Sequence, residues 1–299
     1  EALEKPFIEE GVEFVEYQKT LDVEELKKET AGADAVIIAN MPYPSSVISS
    51  CDTLKFIDVA FTGTDHVGLD AAREKGISVS NASGYSNEAV SELVLGMVLS
   101  FMRNITQVEA RCREGKDKTG LVGCEVKGKT VGIIGLGKIG KRTAEIFNCL
   151  GATVLASSRT KHSDTPSYIT EVEKEELLRE SDIVVLHCPL TPETRGLIGK
   201  KELEMMKKSA ILVNVARGPV VVEEDLVEAL KEGTIRGALV DVYSSEPPLS
   251  LSTPILFAPN TLLTPHVAFA TKESMSLRAK IVFENLRAWM DGNVINKIV

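Results

Sequence analysis

The fold of this chain is decided by one stretch, Thr130-Val-Gly-Ile-Ile-Gly135-Leu-Gly137-Lys138-Ile139-Gly140. Its first half is an apolar, β-branched run typical of a buried strand, and its second half is a glycine pattern that opens a helix. In such a turn the first glycine permits the tight bend, the second lets a pyrophosphate approach the backbone, and the third lets the helix pack on the strand. Because the helix N-terminus adds unpaired N–H groups, the stretch predicts a dinucleotide site at Gly135, Gly137, Lys138, Ile139 and Gly140.

The sequence around this stretch alternates strands with helices. Expected helices include Glu171–Glu180, which Thr170 and Glu173 would begin as a capping box, and Glu223–Glu232. Continuous apolar strands between helices predict a parallel sheet covered on both faces. Six strands are expected, at Thr130–Gly135, Thr153–Ser158, Asp182–Cys188, Ala210–Ala216, Gly237–Tyr243 and Thr261–His266. This number matches a doubly wound Rossmann fold, which we place at residues 84–267.

The N-terminal third predicts a second, smaller α/β domain. Its expected helix is Val23–Glu29, its expected strands are Val12–Tyr17, Ala35–Ala39, Phe56–Phe61 and Ser78–Asn81, and a further strand is expected before Glu1. The last helix, Lys272–Asp291, has one apolar face, and docking of that face on the N-terminal strands would make this domain discontinuous. We therefore expect a flavodoxin-like domain at residues 1–83 and 268–299. The long amphipathic stretch Asn87–Glu114 is expected to link the two domains.

Composition limits the classes of partner. The formal net charge is -9 at pH 7 and no long basic run is present, which argues against nucleic acid or an anionic membrane surface. The most apolar window, Leu93–Met102, is far shorter than the ~20 residues of a membrane helix. No CxxC or zinc-like spacing occurs, so we expect a cytoplasmic protein with reduced thiols and no metal site. The cysteines are Cys51, Cys112, Cys124, Cys149 and Cys188.

The end of the second Rossmann strand carries information on the cofactor. NAD sites usually have an acidic residue there that binds the ribose hydroxyls. This chain has Ser158-Arg159-Thr160-Lys161 instead. Two hydroxyls and a guanidinium suit a 2′-phosphate, which a carboxylate would repel, so NADP(H) is favoured. The alternative is a solvated Arg159 in a site that accepts NAD(H).

Three polar residues follow three successive strands. Arg217, Glu246 and His266 come directly after, or end, the last three strands expected in the Rossmann domain. The carboxyl ends of parallel strands meet at the edge where ligands bind, so these side chains should share one crevice with the glycine turn. Histidine is suited to donate a proton to a carbonyl oxygen, a carboxylate partner would orient it, and arginine can hold a substrate carboxylate. Each residue alone has an ordinary structural explanation, but their joint placement predicts a catalytic set.

Several further motifs give the chain a family resemblance. They are Phe61-Thr-Gly-Thr-Asp-His-Val, Gly84-Tyr-Ser-Asn-Glu-Ala-Val-Ser-Glu92, Pro189-Leu-Thr-Pro-Glu-Thr-Arg-Gly-Leu-Ile198, Asn214–Gly218, Asp241–Pro247 and Pro265-His266. With the glycine turn, they make the chain resemble the D-isomer-specific 2-hydroxyacid dehydrogenase family over nearly its full length. The resemblance implies hydride transfer between a nicotinamide cofactor and a 2-keto or D-2-hydroxy acid.

The resemblance also implies roles for individual residues. Arg217 would bind substrate, Glu246 would pair with His266, and His266 would be the acid/base. The backbone of Thr62 and Gly63 would clamp the substrate carboxylate, and Asp241 would meet the nicotinamide carboxamide. Further cofactor contacts are implied at Cys188, Pro189, Thr194 and Val215. Most family members are homodimers built through the cofactor domains, and they close a hinge onto the substrate.

The resemblance leaves the substrate open. The Ser158-Arg159-Thr160 turn resembles that of glyoxylate and hydroxypyruvate reductases that prefer NADPH. The segment Asn40–Ser46 lacks the arginine with which phosphoglycerate dehydrogenases hold phosphate, which disfavours that substrate. Met41, Tyr43 and Tyr85 suit either an apolar substrate pocket or ordinary packing. The alternatives are a phosphoglycerate- or D-lactate-type dehydrogenase, a phosphite- or formate-oxidising relative, and a nicotinamide-sensing, corepressor-like regulator.

Overall fold

The computed structural model describes residues 2–159 and 164–299. The chain divides into two compact units. The smaller unit consists of Glu1–Ser86 and Thr271–Val299, and the larger unit is Asn87–Ala270.

The described residues form helices and parallel strands in alternation. The helices are α1 Lys5–Glu9, α2 Val23–Thr30, α3 Ser45–Ser50, α4 Leu69–Lys75, α5 Asn87–Met102, α6 Ile105–Arg113, α7 Lys138–Cys149, α8 Lys174–Glu180, α9 Lys200–Met205, α10 Glu223–Glu232 and α11 Lys272–Met290. The strands are β1 Ala35–Ile38, β2 Phe56–Val59, β3 Ser78–Asn81, β4 Thr130–Ile134, β5 Thr153–Ser157, β6 Ile169–Glu171, β7 Ile183–Leu186, β8 Ile211–Asn214, β9 Gly237–Val240 and β10 Thr261–Leu263.

The smaller unit is built on a parallel sheet in the order β1-β2-β3. All four residues of β2 are buried, and α11 packs on this strand. The ring of Trp289 stacks on Phe56 with centroids 5.1 Å apart. This C-terminal helix therefore completes the core of the N-terminal residues, as its apolar face suggested.

The predicted strand Val12–Tyr17 is wrong. Residues 12–17 belong to no strand, and among the described residues no neighbouring segment pairs with them. Val15 and Tyr17 are 60% and 56% exposed. An apolar alternation is not enough to make a strand, because the backbone N–H and C=O groups also need a partner strand.

The larger unit contains a parallel sheet in the order β10-β9-β8-β7-β4-β5-β6. The doubly wound prediction is confirmed, since β4 lies between β7 and β5 and the strand order reverses there. The seventh strand, β6, was not predicted. Thr170 lies in β6 opposite Leu155, so the predicted capping box is wrong. Helix α8 begins later, at Lys174, and has no side-chain cap.

The amphipathic stretch Asn87–Glu114 forms two helices, α5 and α6. They are separated at Asn104, whose φ is 53°, and bend by 59°. Among the described residues no single helix is long and apolar enough to cross a membrane, although this bent pair meets the length and composition criterion jointly. All five cysteines are free thiols.

Candidate active site

The glycine turn after β4 excludes side chains at two of its three glycines. Gly135 has a φ of +98°, and a Cβ built on it would lie 2.6 Å from the Cys188 nitrogen. A Cβ on Gly140 would lie 2.2 Å from the Gly135 carbonyl oxygen. The turn therefore brings α7, β4 and the end of β7 together more closely than any L-residue allows.

The second glycine has a different environment. A Cβ on Gly137 would meet no described atom within 4 Å, so open space lies beside the backbone at the start of α7. Gly137 is the N-cap of α7 and offers no side chain to its first N–H groups. Unpaired amides beside open space fit the pyrophosphate of a dinucleotide. The residues present thus fit a dinucleotide cofactor.

The end of β5 lies beside this turn. The Gly135 N–H donates to the Ser157 carbonyl at 2.9 Å, which places Ser158 and Arg159 next to the glycines. Arg159 is exposed, and its charge is close enough to Glu193 to add to the lowering of that carboxyl's pKa by a Thr191 hydrogen bond. Thr160 lies outside the described residues, so its part in the cofactor site stays a prediction.

The loop after β7 is held by Thr194. Its Oγ1 donates to the Pro189 carbonyl at 2.6 Å and accepts from the Thr191 N–H at 2.8 Å. Cys188 is buried, and burial raises the pKa of its thiol to about 11, so it remains a neutral, small packing group. Val215, directly after β8, is also buried.

The turn that carries Arg217 is fixed by two neighbours. The buried Asn214 donates from Nδ2 to the Arg217 carbonyl at 3.0 Å, and its Oδ1 accepts from the Ala216 N–H at 3.1 Å. A Cβ on Gly218 would lie 1.9 Å from the Tyr243 carbonyl carbon, so the turns after β8 and β9 touch through that glycine. These contacts therefore fix the backbone of the turn that carries Arg217. We did not single out Asn214 from the sequence, although it stands in the matched motif Asn214–Gly218.

His266 and Glu246 form a pair. The His266 Nδ1 lies 2.7 Å from the Glu246 Oε2. The imidazole side chain is 17% exposed and meets the Phe269 ring edge-to-face, with centroids 5.6 Å apart. With Nδ1 engaged by the carboxylate, the described residues leave Nε2 without a hydrogen-bond partner. Nε2 is therefore the nitrogen available to exchange a proton with a ligand.

Asp241 organises the backbone around His266. Its carboxylate is fully buried and accepts from the Thr264 hydroxyl at 2.6 Å, from the Val267 N–H at 2.9 Å and from the Ala268 N–H at 3.0 Å. The His266 N–H donates to the Asp241 carbonyl at 2.8 Å, and His266 itself has a φ of +56°. A non-glycine residue holds this backbone conformation only where its surroundings impose it, and Asp241 supplies that constraint.

The substrate clamp expected from the sequence lies in the smaller unit. Thr62 and Gly63 follow β2, and the Asn81 side chain at the end of β3 donates to the Thr62 carbonyl at 2.7 Å. Tyr43 is 2% exposed and its hydroxyl is hydrogen-bonded to Thr30, so it is a packing residue of this unit. Tyr85 is also buried.

Comparison with known proteins identifies the class of this arrangement. The family model described as "D-isomer specific 2-hydroxyacid dehydrogenase, NAD binding domain" matches residues 95–268. A hydroxypyruvate reductase of Blautia hydrogenotrophica is 36% identical over 301 residues, covering 95% of this chain and 92% of that protein. The chain belongs to the D-isomer-specific 2-hydroxyacid dehydrogenase family of NAD(P)-dependent oxidoreductases, and the resemblance seen in the sequence is confirmed.

Solved structures agree with this assignment. An acyclic imino acid reductase in complex with NADPH and D-Arg has a TM-score of 0.92 at 28% identity, covering 99% of this chain and 95% of that one. The D-lactate dehydrogenase of Aquifex aeolicus, complexed with NAD and lactic acid, has a TM-score of 0.87 at 27% identity, covering 97% and 93%. The protein is thus an enzyme that uses a nicotinamide cofactor to transfer hydride to 2-keto acids. The regulatory alternative is not favoured.

Proposed function

We propose that this protein is an NADPH-dependent reductase of glyoxylate or hydroxypyruvate, with Arg217, Glu246 and His266 as its catalytic set. The observation that carries the proposal is the 2.7 Å pair of Glu246 and His266 beside the strand that bears Arg217. Arg217 follows β8, Glu246 follows β9 and His266 follows β10, and these three strands are neighbours in one parallel sheet. The edge of the sheet at which they stand is the one that carries the glycine turn.

The chemistry follows from what each side chain can donate. When bound, the nicotinamide supplies the hydride that reaches the keto carbon. The Arg217 guanidinium holds the substrate carboxylate and polarises the carbonyl. His266 delivers a proton from Nε2 to the carbonyl oxygen as that oxygen gains negative charge, so the keto group becomes an alcohol. Glu246 accepts the Nδ1–H and fixes the orientation of the ring, as the carboxylate hydrogen-bonded to the histidine does in a catalytic triad.

The remaining site residues are assigned to binding. The Thr62 and Gly63 backbone would clamp the substrate carboxylate. Asp241 would face the nicotinamide carboxamide while its oxygens hold the His266 loop. Two carboxylate oxygens offer about four acceptor positions, so three protein donors leave room for one more. Cys188, Pro189, Thr194 and Val215 would line the cofactor.

Preference for NADP(H) is supported by the end of β5. In NAD sites an acidic residue at the end of this strand binds the ribose hydroxyls. This chain has Ser158 and Arg159 at that position instead. A guanidinium beside the glycine turn would bind a 2′-phosphate through charge-assisted hydrogen bonds. NAD(H) is the alternative cofactor. We further propose a cytoplasmic homodimer that binds neither nucleic acid nor membranes, in keeping with the net charge of -9.

The proposal is tested by initial rates with NADPH and with NADH against glyoxylate, hydroxypyruvate, pyruvate and phenylpyruvate. We expect faster turnover with NADPH than with NADH, and faster turnover of glyoxylate and hydroxypyruvate than of pyruvate and phenylpyruvate. The Arg159→Ala variant should raise the KM for NADPH about tenfold or more and leave that for NADH nearly unchanged, because one charge-assisted phosphate contact is worth roughly 1.5–3 kcal/mol.

A matched control for Arg159 is Arg179→Ala. Arg179 is an exposed arginine in the last turn of α8, which leads into the amino end of β7 and so lies at the opposite edge of the sheet. Its removal changes the net charge equally and should not alter the cofactor preference. A wild-type preference for NADH would overturn the cofactor assignment. Unchanged turnover in His266→Ala would remove His266 from the proton-transfer step.

A further inference from the structure

Arg278, on α11 of the smaller unit, has an unusual environment. Its guanidinium carbon lies 4.7 Å from the centroid of the Phe61 ring and 5.9 Å from that of Tyr85. The two rings meet edge-to-face, with centroids 6.0 Å apart. Arg278 is partly buried, so these rings hold the cation in place rather than leaving it extended in solvent.

Among the residues the structure describes, no carboxylate is paired with Arg278. Arg287, nine residues further along the same helix, shows the contrast. It stacks over Phe7 at 4.3 Å and also donates to both Glu10 carboxylate oxygens, at 2.6 and 2.9 Å. An aromatic face attracts the guanidinium cation, but it accepts no hydrogen bond from the N–H groups that lie in the plane of the guanidinium. The donors of Arg278 therefore remain available to an anion from outside the chain.

The position of Arg278 points to the substrate. Phe61 directly precedes Thr62 and Gly63, the proposed carboxylate clamp, and Asn81 fixes that loop through the Thr62 carbonyl. Because Phe61 is bonded to Thr62 and consecutive Cα atoms are about 3.8 Å apart, the guanidinium is at most on the order of 10 Å from the clamp backbone. A short, doubly charged acid can span a distance within this limit, with a hydrogen bond at each end.

We propose that Arg278 determines specificity by binding a second anionic group, so that 2-keto acids with a distal carboxylate or phosphate are substrates in addition to the small ones. The inference rests on the proposed function, because it assumes that Thr62 and Gly63 hold the keto-acid end. A guanidinium binds carboxylate and phosphate alike through its forked donors. The segment Asn40–Ser46 carries no cation, and α11 supplies one from more than 230 residues further along the chain.

The test compares kcat/KM for glyoxylate, which has no distal group, with kcat/KM for oxaloacetate, 2-oxoglutarate and 3-phosphohydroxypyruvate. The last three separate a distal carboxylate from a distal phosphate. In Arg278→Met the apolar stem still packs on Phe61 and the charge is lost. We expect the ratio of kcat/KM for the preferred doubly charged acid to that for glyoxylate to fall about tenfold or more, through KM. Arg278→Lys keeps the positive charge but loses the forked pair of guanidinium donors, so its kcat/KM ratio should lie between those of wild type and Arg278→Met.

Arg287→Met is the control, since it removes a stacked arginine from the same helix. It should lower the melting temperature and leave the substrate ratio unchanged. A proportional loss on all substrates in Arg278→Met would show that Arg278 only packs, and would overturn the inference. If that variant does not fold, Arg278→Gln is judged by the same ratio. Wild-type turnover of glyoxylate but of none of the doubly charged acids would overturn the inference and leave the proposed function standing. No turnover of any keto acid would overturn both.

Discussion

At the scale of single residues, the sheet edge that carries the proposed catalytic set depends on a carboxylate that need not touch the reacting atoms. Asp241 is buried, and three donors from residues 264–268 converge on it. Since these donors flank His266, the position of the proposed acid/base is set by hydrogen bonds between residues about 25 positions apart in the sequence. The spacing of Asp241 and His266 in the chain gives no sign of this contact.

Asp241→Asn should therefore impair both folding and catalysis. An amide nitrogen would face N–H donors and leave them unpaired, at a cost of roughly 2–4 kcal/mol for a buried, charge-assisted cluster. We expect a lower urea midpoint and a kcat reduced at least as strongly as the cofactor affinity. The comparison variant is Thr264→Val, which removes one donor only and should cost less. Equal kcat in wild type and Asp241→Asn would show that His266 holds its position without this carboxylate.

Asp58, in the centre of β2, gives the smaller unit a pH dependence. Its carboxyl is fully buried, accepts from Asn285 Nδ2 at 3.0 Å, and has one oxygen without a partner among the described atoms. Burial raises its pKa from 3.8 to about 7, although the Asn285 bond opposes this. The unfolded state thus loses this proton near pH 4, and the folded state keeps it until about pH 7. The free energy of unfolding should fall as pH rises through that window, by up to about 1.4 kcal/mol per pH unit.

Asp58→Asn mimics the protonated carboxyl and should remove this slope. We expect the variant to match wild type near pH 4 and to exceed it at pH 8, measured as urea midpoints of the smaller unit. Asp70, an exposed carboxyl on α4, provides a control in Asp70→Asn, which should keep the wild-type slope. The same pH dependence in wild type and Asp58→Asn would assign it to other groups.

At the scale of elements, the strand–turn–helix at β4 and α7 separates packing from ligand binding within one motif. Gly140 has no room for a side chain because of the Gly135 carbonyl, whereas a Cβ on Gly137 would meet no described atom within 4 Å and Gly137 has an ordinary φ of -75°. The sequence predicted a packing role for Gly140 and a pyrophosphate-facing role for Gly137, and the surroundings of the two glycines differ in that sense.

Alanine at these two glycines should give opposite results for stability. Gly140→Ala should destabilise the larger unit by roughly 1–3 kcal/mol, because the new Cβ forces α7 away from β4. Gly137→Ala should leave the unfolding midpoint unchanged or slightly raised and weaken cofactor binding about tenfold, since its Cβ takes the space left for the pyrophosphate. Calorimetric melting and NADPH titration by fluorescence measure the two effects. Tight NADPH binding by Gly137→Ala would place the pyrophosphate elsewhere.

Elements were predicted best where they are buried on both sides. The strands β4, β7, β8 and β9 have almost every residue buried, and their continuous apolar runs predicted them correctly. The edge strand β6 has two exposed residues of three and no such run, and it was missed. Val12–Tyr17 was the opposite error, since its alternation is real but no described segment pairs with it. The failures thus occur where pairing, rather than burial, decides the structure.

At the scale of the whole molecule, each unit has its own core. The larger unit buries apolar residues on both faces of its sheet, and every one of these lies between Val90 and Ala268. The smaller unit uses both ends of the chain, because Leu286 packs with Phe7 and Phe56. Its folding therefore requires the C-terminal helix, and that of the larger unit does not.

Residues 87–270 expressed alone should fold and bind NADPH with an affinity within about threefold of the full chain. They should not reduce keto acids, since the proposed clamp at Thr62 and Gly63 is missing. Calorimetry and NADPH titration test the first expectation, and initial rates test the second. Normal turnover by this fragment would remove Thr62 and Gly63 from the substrate site, and an unfolded fragment would show that the larger unit depends on the smaller one.

The sequence by itself determined the doubly wound sheet, the glycine turn and the three strand ends that carry Arg217, Glu246 and His266. Strand period, glycine spacing and position after a strand are local properties of the sequence. Because the carboxyl ends of parallel strands lie at one edge of the sheet, these local properties are enough to place the three residues at that edge. The roles of these residues remain predictions to be tested by substitution.

Only the tertiary structure decided which distant groups meet. The Asp241 cluster around His266, the contact of the buried Asp58 with Asn285 and the pairing of Arg278 with Phe61 all join residues that lie on separate segments. Such contacts depend on packing in three dimensions, where burial and hydrogen-bond geometry select partners irrespective of their distance along the chain.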